Sequence, residues 1–310
     1  MPQSLENGIE GVKEPVAAAT AAAEGTGPLG WDPGWASLQH GMVQLYTRGR
    51  PRTIHQFWQR CYFDDLWSLM GDRAAQARYL ELGAGRGTTS MYLAARSCAV
   101  TMLDLSRNGF ELARRNFARE GLPLPNLVLA DARQTGLSAE SFDCVFSIGL
   151  LEHFDDPQPV LRETLRLLAP GGMAFMVVIP ARPAHVRLLA QTLFCPWQAL
   201  RTLMPGSVKR LLGHRKLDRT GRADGGDVLR TSHSRSSYVR TMLDLGAQEV
   251  SCVPYNAYHE VYRKPALQNG IAVPLYRAHH AVKRLWARPP YFRTAACLAS
   301  CDLLTFRKPA

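Results

Sequence analysis

Between residues 78 and 179 short apolar runs alternate with amphipathic stretches, and this rhythm admits few folds. The predicted strands are 78–82, 100–103, 127–130, 142–147 and 173–179, and the helices between them are clearest at 106–120 and 157–168. Ser106 offers a side-chain oxygen to the first of these helices, and Gly121 suits its stop. Pro157 and Pro159 suit the entry of the second, where Leu161, Leu165 and Leu168 recur at i, i+4 and i+7 and Pro170-Gly171-Gly172 follows as the stop. Strands that are apolar along their length and separated by helices belong to a parallel sheet covered on both faces. A further helix at 236–245 and strands at 249–253 and 303–306 complete the expectation. It is an α/β fold with a doubly wound, mostly parallel seven-stranded sheet, N-terminal helices and helical insertions.

The flanks differ in composition. Residues 1–27, rich in Ala, Gly and Glu, lack a basic start followed by an apolar run and read as a disordered leader. Residues 28–77 carry Trp31, Trp35, Tyr46, Phe57, Trp58 and Trp67, and read as an N-terminal lid of two helices broken near Gly49-Arg50-Pro51. The ligand-binding domain then occupies 78–310, with insertions at about 181–228 and 255–299. From 181 to 222 nine Arg or Lys face one acid, Asp218. This basic insertion suits a solvated cap, a pocket for an anionic substrate, or a helix in peripheral contact with a membrane surface. The net charge of +11 favours anionic partners without naming one. Seven scattered cysteines with no C-x-x-C pair argue against a zinc site and a disulfide framework, and point to the cytoplasm. No run of 18 uncharged apolar residues suggests a membrane span.

The chemistry concentrates at Leu80-Glu81-Leu82-Gly83-Ala84-Gly85-Arg86-Gly87, where a strand turns into a helix. Glycines let the backbone turn sharply and approach a ligand without a Cβ in the way. The dinucleotide pattern G-x-G-x-x-G would need glycine at position 88, which is Thr88, so the pattern is G-x-G-x-G with an acid two residues ahead. Asp104 ends the second strand, 21 positions beyond Gly83, where a carboxylate can accept from two ribose hydroxyls. Asp131 follows the third strand, within reach of an adenine amino group. Either acid alone would read as a loop or capping residue. Two at consecutive strand ends beside a glycine turn mark a site.

These segments resemble the class I S-adenosylmethionine-dependent methyltransferases of the broad small-molecule type. The resemblance runs through 79–87, Val100-Thr101-Met102-Leu103-Asp104-Leu105-Ser106, Ala130-Asp131-Ala132, 142–147, Leu151-Glu152-His153-Phe154 and 168–172, in the family's order. It implies a Rossmann-like fold and S-adenosylmethionine as cofactor. It places Glu81, Gly83, Ala84, Gly85 and Gly87 around the methionine end, Asp104 with Leu105 at the ribose, Asp131 and Ala132 at the adenine, and Ser147, Ile148 and Gly149 beneath the sulfonium.

A sulfonium methyl is already activated, so a base matters only if the acceptor must lose a proton. His153 and His233 are the candidates, with His259 as a cap from the second insertion. Some quinone-type relatives join an acid at the position of Gly149 to Glu152 and His153 around a metal; glycine stands there in this chain, and no metal is expected. Ser147-Ile148-Gly149-Leu150 lacks the proline-rich, aromatic-ended motif of nucleic-acid amino methylation, which disfavours nucleic acid as partner. The expected function is methyl transfer to O or N of a small-molecule biosynthetic intermediate. The alternatives are non-methyl sulfonium chemistry, such as ring closure releasing methylthioadenosine, and a lipid or quinone methyltransferase at the membrane surface. Oligomeric state stays open.

Overall fold

The computed structural model describes residues 12–13, 45–180, 231–260 and 265–310. Eight strands form one sheet: β1 (Val12–Lys13), β2 (Arg78–Leu82), β3 (Ala99–Asp104), β4 (Asn126–Leu129), β5 (Phe142–Ile148), β6 (Leu168–Val178), β7 (Gln248–Tyr255) and β8 (Cys301–Arg307). Their order across the sheet is β1-β4-β3-β2-β5-β6-β8-β7. Pairing is parallel except for β8, which runs antiparallel to both β6 and β7. The chain winds outward from β2 through β3 to β4, then restarts at β5 and winds the other way. The order therefore reverses between β2 and β5, where open α/β sheets bind ligands beyond their carboxyl ends.

The longer α-helices among the described residues are α1 (Ile54–Met70), α2 (Thr88–Ala94), α3 (Arg107–Glu120), α4 (Gln158–Leu167), α5 (Arg235–Asp244) and α6 (Val273–Trp286). Ser106 caps α3 by accepting from Gly109 N–H at 2.9 Å, and Gly121 ends it with φ +60°. The start of α1 is a capping box: Gln56 N–H donates to Thr53 Oγ1, and Thr53 N–H donates to Gln56 Oε1.

The side chains of β2 to β8 alternate between two cores. Tyr79, Phe146, Phe175 and Leu303 pack with α1, α2 and α3 on one face; Leu80, Val145, Met176 and Leu304 pack with α4 and α5 on the other. Fully burying one such Phe or Leu stabilises by about 1.5–3 kcal/mol over leaving it exposed.

Two expectations change. Pro170-Gly171-Gly172 does not end a helix: α4 stops at Leu167, and β6 begins at Leu168, which pairs with Phe142. The ladder shifts register between Phe142 and Cys144, and the glycines fill that irregularity. Gly171 takes φ +68°, and a Cβ on Gly172 would lie 2.8 Å from Ala169 O. The leader is also not irregular throughout, because Val12–Lys13 pairs with Leu127 and Val128. Without it β4 would be an edge with unpaired backbone donors and acceptors. The rest of the leader, the first of the two expected N-terminal helices and the basic insertion lie outside the described residues.

Asp65 ties the N-terminal helix to the far end of the chain. Its fully buried carboxylate accepts from Tyr255 Oη at 2.7 Å, Tyr291 N at 2.7 Å and Phe292 N at 2.9 Å. Burial pushes its pKa up to about 6 against the pull of these donors. Replacing Asp65 with Leu strands two buried donors, each costing about 1–3 kcal/mol, and the half-buried Tyr291 amide. Urea denaturation of Asp65→Leu should show at least about 2 kcal/mol less stability, net of the relief from an ionisable buried group. An unchanged midpoint would deny the carboxylate this role.

Candidate functional site

The reversal point is built from strand ends that stand in register. Leu82 pairs with Leu103, and Glu81 with Phe146, so the segments leaving β2, β3 and β5 emerge along one edge. Gly83, Gly85 and Gly87 all have positive φ, at +65°, +48° and +66°. A Cβ on Gly83 would lie 2.7 Å from Leu150 Cδ1, which shows how closely the glycine turn meets the loop after β5. Ala84 N–H donates to Leu103 O at 3.0 Å, and Gly87 N–H to Ala84 O at 2.8 Å.

Asp104 joins this turn to the next helix. Its Oδ2 accepts from Gly85 N at 2.7 Å and its Oδ1 from Ser106 N at 2.8 Å. Leu105, beside it, is half exposed at 51% and presents an apolar side chain at the site's edge.

Glu81 is buried inside the same turn. Gly87 occupies the N-cap of α2 and has no side chain to cap with. Glu81 serves instead: its Oε2 accepts from both the hydroxyl and the amide of Ser90. A carboxylate at a helix N-terminus also suits the helix dipole. Burial nevertheless pushes its pKa up to about 8, aided by the charge of Asp104 and opposed by Ser90. Ser90 was absent from the sequence-derived site. Its signal was a hydroxyl three residues into a helix whose cap position is glycine.

The remaining acids and floor residues take distinct roles. Asp131 sits beyond β4, but Arg133 engages it, with Nη2 2.6 Å from Oδ2, Nε bridging both oxygens and its amide on Oδ1. Any ligand contact by Asp131 must coexist with this pair. Ala132 beside it is buried. Ser147 is fully buried, and its hydroxyl has no hydrogen-bond partner among the described residues. Ile148 is half buried, and Gly149 has φ +76° with its amide on Val177 O. A Cβ at Gly149 would lie 3.2 Å from Glu152 Oε1, so glycine here answers to both conformation and crowding.

The two candidate histidines flank one loop. His153 ends the turn Leu151–His153, where burial pushes its pKa down and a hydrogen bond with the Gly149 backbone pulls it up. His233, arriving from the segment before α5, places Nε2 2.8 Å from Asp155 O. A carbonyl can only accept, so Nε2 carries the proton and neutral His233 has Nδ1 as its acceptor. Glu152, between them and the strand end, is buried, and burial pushes its carboxyl up to about 8. Burial raises the pKa of Tyr238, with a smaller push from the charge of Glu152, and the Tyr238 hydroxyl donates to Thr231 Oγ1 at 3.1 Å. His259 is not at this loop: its Nε2 bonds Leu298 O at 2.7 Å and holds the segment before β8.

Residues 80–176 match the family described as methyltransferase domain. Residues 80–176 are a class I S-adenosylmethionine-dependent methyltransferase domain. The chain is 33% identical over 114 residues to a ubiquinone biosynthesis O-methyltransferase of Xanthomonas axonopodis, covering 37% of this chain and 48% of that protein. It is 38% identical over 113 residues to a demethylmenaquinone methyltransferase of Clavibacter sepedonicus, covering 35% and 45%. The chain thus spans about half the length of the relatives it matches. Among solved structures, the [4+2]-cyclase SpnF superposes over 91% of this chain and 93% of its own, with TM-score 0.54 and 17% identity. Phosphoethanolamine N-methyltransferase 2 of Haemonchus contortus, in complex with phosphomonomethylethanolamine and S-adenosylhomocysteine, covers 90% of this chain and 58% of its own, with TM-score 0.51 and 15% identity. These two likenesses are of fold alone. The methyltransferase domain carries the glycine turn, Asp104, Asp131 and the Glu152–His153 pair; His233 lies outside the matched residues.

Proposed function

We propose that this chain binds S-adenosylmethionine along the carboxyl ends of β2, β3 and β5 and transfers its methyl group to oxygen or nitrogen of a small-molecule acceptor. The observation that carries this reading is Asp104, fixed by the amides of Gly85 and Ser106 at the end of β3. A carboxylate has about four acceptor sites, so Asp104 can hold these donors and still receive ribose hydroxyls. The donor set suits a cationic ligand: Glu81 and Asp104 are acids on one turn, and a positive charge nearby would lower the raised pKa of Glu81 and favour its ionised form. The exposed Leu105 offers an apolar face to a purine, and the orphaned Ser147 hydroxyl offers a polar contact in the floor.

When bound, S-adenosylmethionine supplies a methyl group already activated on a sulfonium. The protein's task is to align the acceptor and exclude water, and such preorganisation can lower a barrier by roughly 7–11 kcal/mol. An acceptor hydroxyl or amine must also shed a proton. Nδ1 of His233 can take it, its opposite nitrogen being held on Asp155 O, and His153, kept neutral by burial, is the second acceptor. The ubiquinone and menaquinone methyltransferases among the relatives make quinone-type rings the first acceptors to screen.

Isothermal titration tests the cofactor site. S-adenosylmethionine should bind and NAD should not, and Asp104→Ala should weaken binding at least tenfold, since a hydrogen bond to a charged group contributes about 1.5–3 kcal/mol. Unchanged affinity in the variant would remove Asp104 from the site. With an acceptor in hand, S-adenosylhomocysteine as the product supports methyl transfer, whereas methylthioadenosine would assign the other sulfonium chemistry.

A further inference from the structure

Helix α6 has two faces. One, carrying Val273, Tyr276 and His280, packs into the aromatic cluster of Phe57, Tyr258 and Phe292. The opposite face is apolar as well and is turned to solvent. Leu275, Val282, Leu285 and Trp286 follow helical spacing around it, with Ile271 in the π-helical turn just before, and Leu275, Leu285 and Trp286 are 64%, 78% and 87% exposed. The stripe from Ile271 to Trp286 is about 22 Å long at helical rise. Scattered exposed apolar residues need no explanation, but a contiguous row marks an interaction surface.

Charge narrows the occupant. From 265 to 300 there are five Arg or Lys, at 277, 283, 284, 288 and 293, and no Asp or Glu. Among the described ion pairs only Arg284 meets an acid, Asp64 at 3.0 Å. A second copy docked on this face would set the same cations against each other. An anionic bilayer would accept the apolar row between its headgroups and attract the cations, and a Trp at the helix end suits the headgroup level. No described helix is long and apolar enough to cross a membrane, so the contact would be one of lying on the surface.

We propose that the outer face of α6 docks this protein on an anionic phospholipid surface. The inference stands independently of the methyl-transfer reading, because it uses neither the glycine turn nor the histidines.

The test is vesicle co-sedimentation of the full chain. Vesicles of roughly three parts phosphatidylcholine to one part phosphatidylglycerol should bind it, pure phosphatidylcholine much less, and added salt should weaken binding. The double variant Leu285→Glu, Trp286→Glu should partition at least tenfold less. Its melting temperature should match the parent's, because both side chains face solvent. Absence of binding by the parent, or equal binding by the folded variant, would overturn the proposal. Concentration-dependent self-association that the variant abolishes, without vesicle binding, would also overturn it and assign the face to a second copy.

Discussion

Gly87→Ala is expected to lose about 2–5 kcal/mol of folding stability and to weaken S-adenosylmethionine binding at least tenfold. Gly87 stands at φ +66°, ψ +32°, where a Cβ costs about 1–2 kcal/mol in any surroundings. The surroundings add to this. The new Cβ would lie 2.4 Å from Met102 Cε, 2.9 Å from its Sδ and 3.2 Å from Phe117 Cε2. Met102 is flexible but wholly buried, so it must repack among its neighbours, and overpacking of that kind typically costs about 1–3 kcal/mol. Relief by shifting the turn would draw the Gly85 amide away from Asp104, which is the route to lost affinity. Gly121→Ala is the control. It has the same left-handed backbone, at φ +60°, with nothing within 4 Å of the added Cβ. Urea denaturation of both should show Gly121→Ala losing only the conformational part, and equal losses would refute the crowding at Gly87.

His280→Phe should remove about 3 kcal/mol of acid destabilisation that the parent acquires between pH 7 and pH 4. His280 is buried among Phe57, Tyr258 and Phe292, and neither ring nitrogen has a hydrogen-bond partner among the described residues. Burial, with smaller contributions from Arg284, Lys283 and His279, lowers its pKa from 6.5 to about 4. The folded state therefore favours the neutral ring. Its contribution is fully present above the unfolded pKa of about 6.5 and is lost as pH falls through about 4. Asp65 titrates in the opposite sense: its folded pKa is raised to about 6, so its contribution is present below about 4 and lost as pH rises through 6. The two partly offset each other in the parent. Comparing parent and variant at each pH isolates the histidine. A constant difference in unfolding free energy from pH 7 to pH 4 would mean that His280 is not held neutral by burial.

Much of the scaffold was legible because its signals are local. The apolar runs, Ser106 before a helix, Gly121 after it and the glycines after β2 each report a requirement met within a few residues. The site outline was legible for the same reason, since parallel strands must end on the edge where their following turns begin. Misread segments depended on distant partners. Pro170-Gly171-Gly172 carries the composition of a helix stop, yet it serves a shift in the pairing of β5 with β6. Asp131 is a different case: its partner Arg133 stands only two positions on, but residue type alone does not show that this arginine folds back onto the acid.

By itself the sequence determined the doubly wound core, the position of its glycine turn and the acids at two strand ends, because periodicity and backbone sterics act at short range. Tertiary structure alone decided what those groups face. It turned Glu81 into the cap of α2 through Ser90, placed His233 on the Asp155 carbonyl from 78 positions away, and sent His259 to the segment before β8 instead. It also joined Asp65 to Tyr255, Tyr291 and Phe292 and left one apolar face of α6 in solvent. Helical periodicity says that a helix has two apolar faces, but which one is covered depends on the neighbour that arrives.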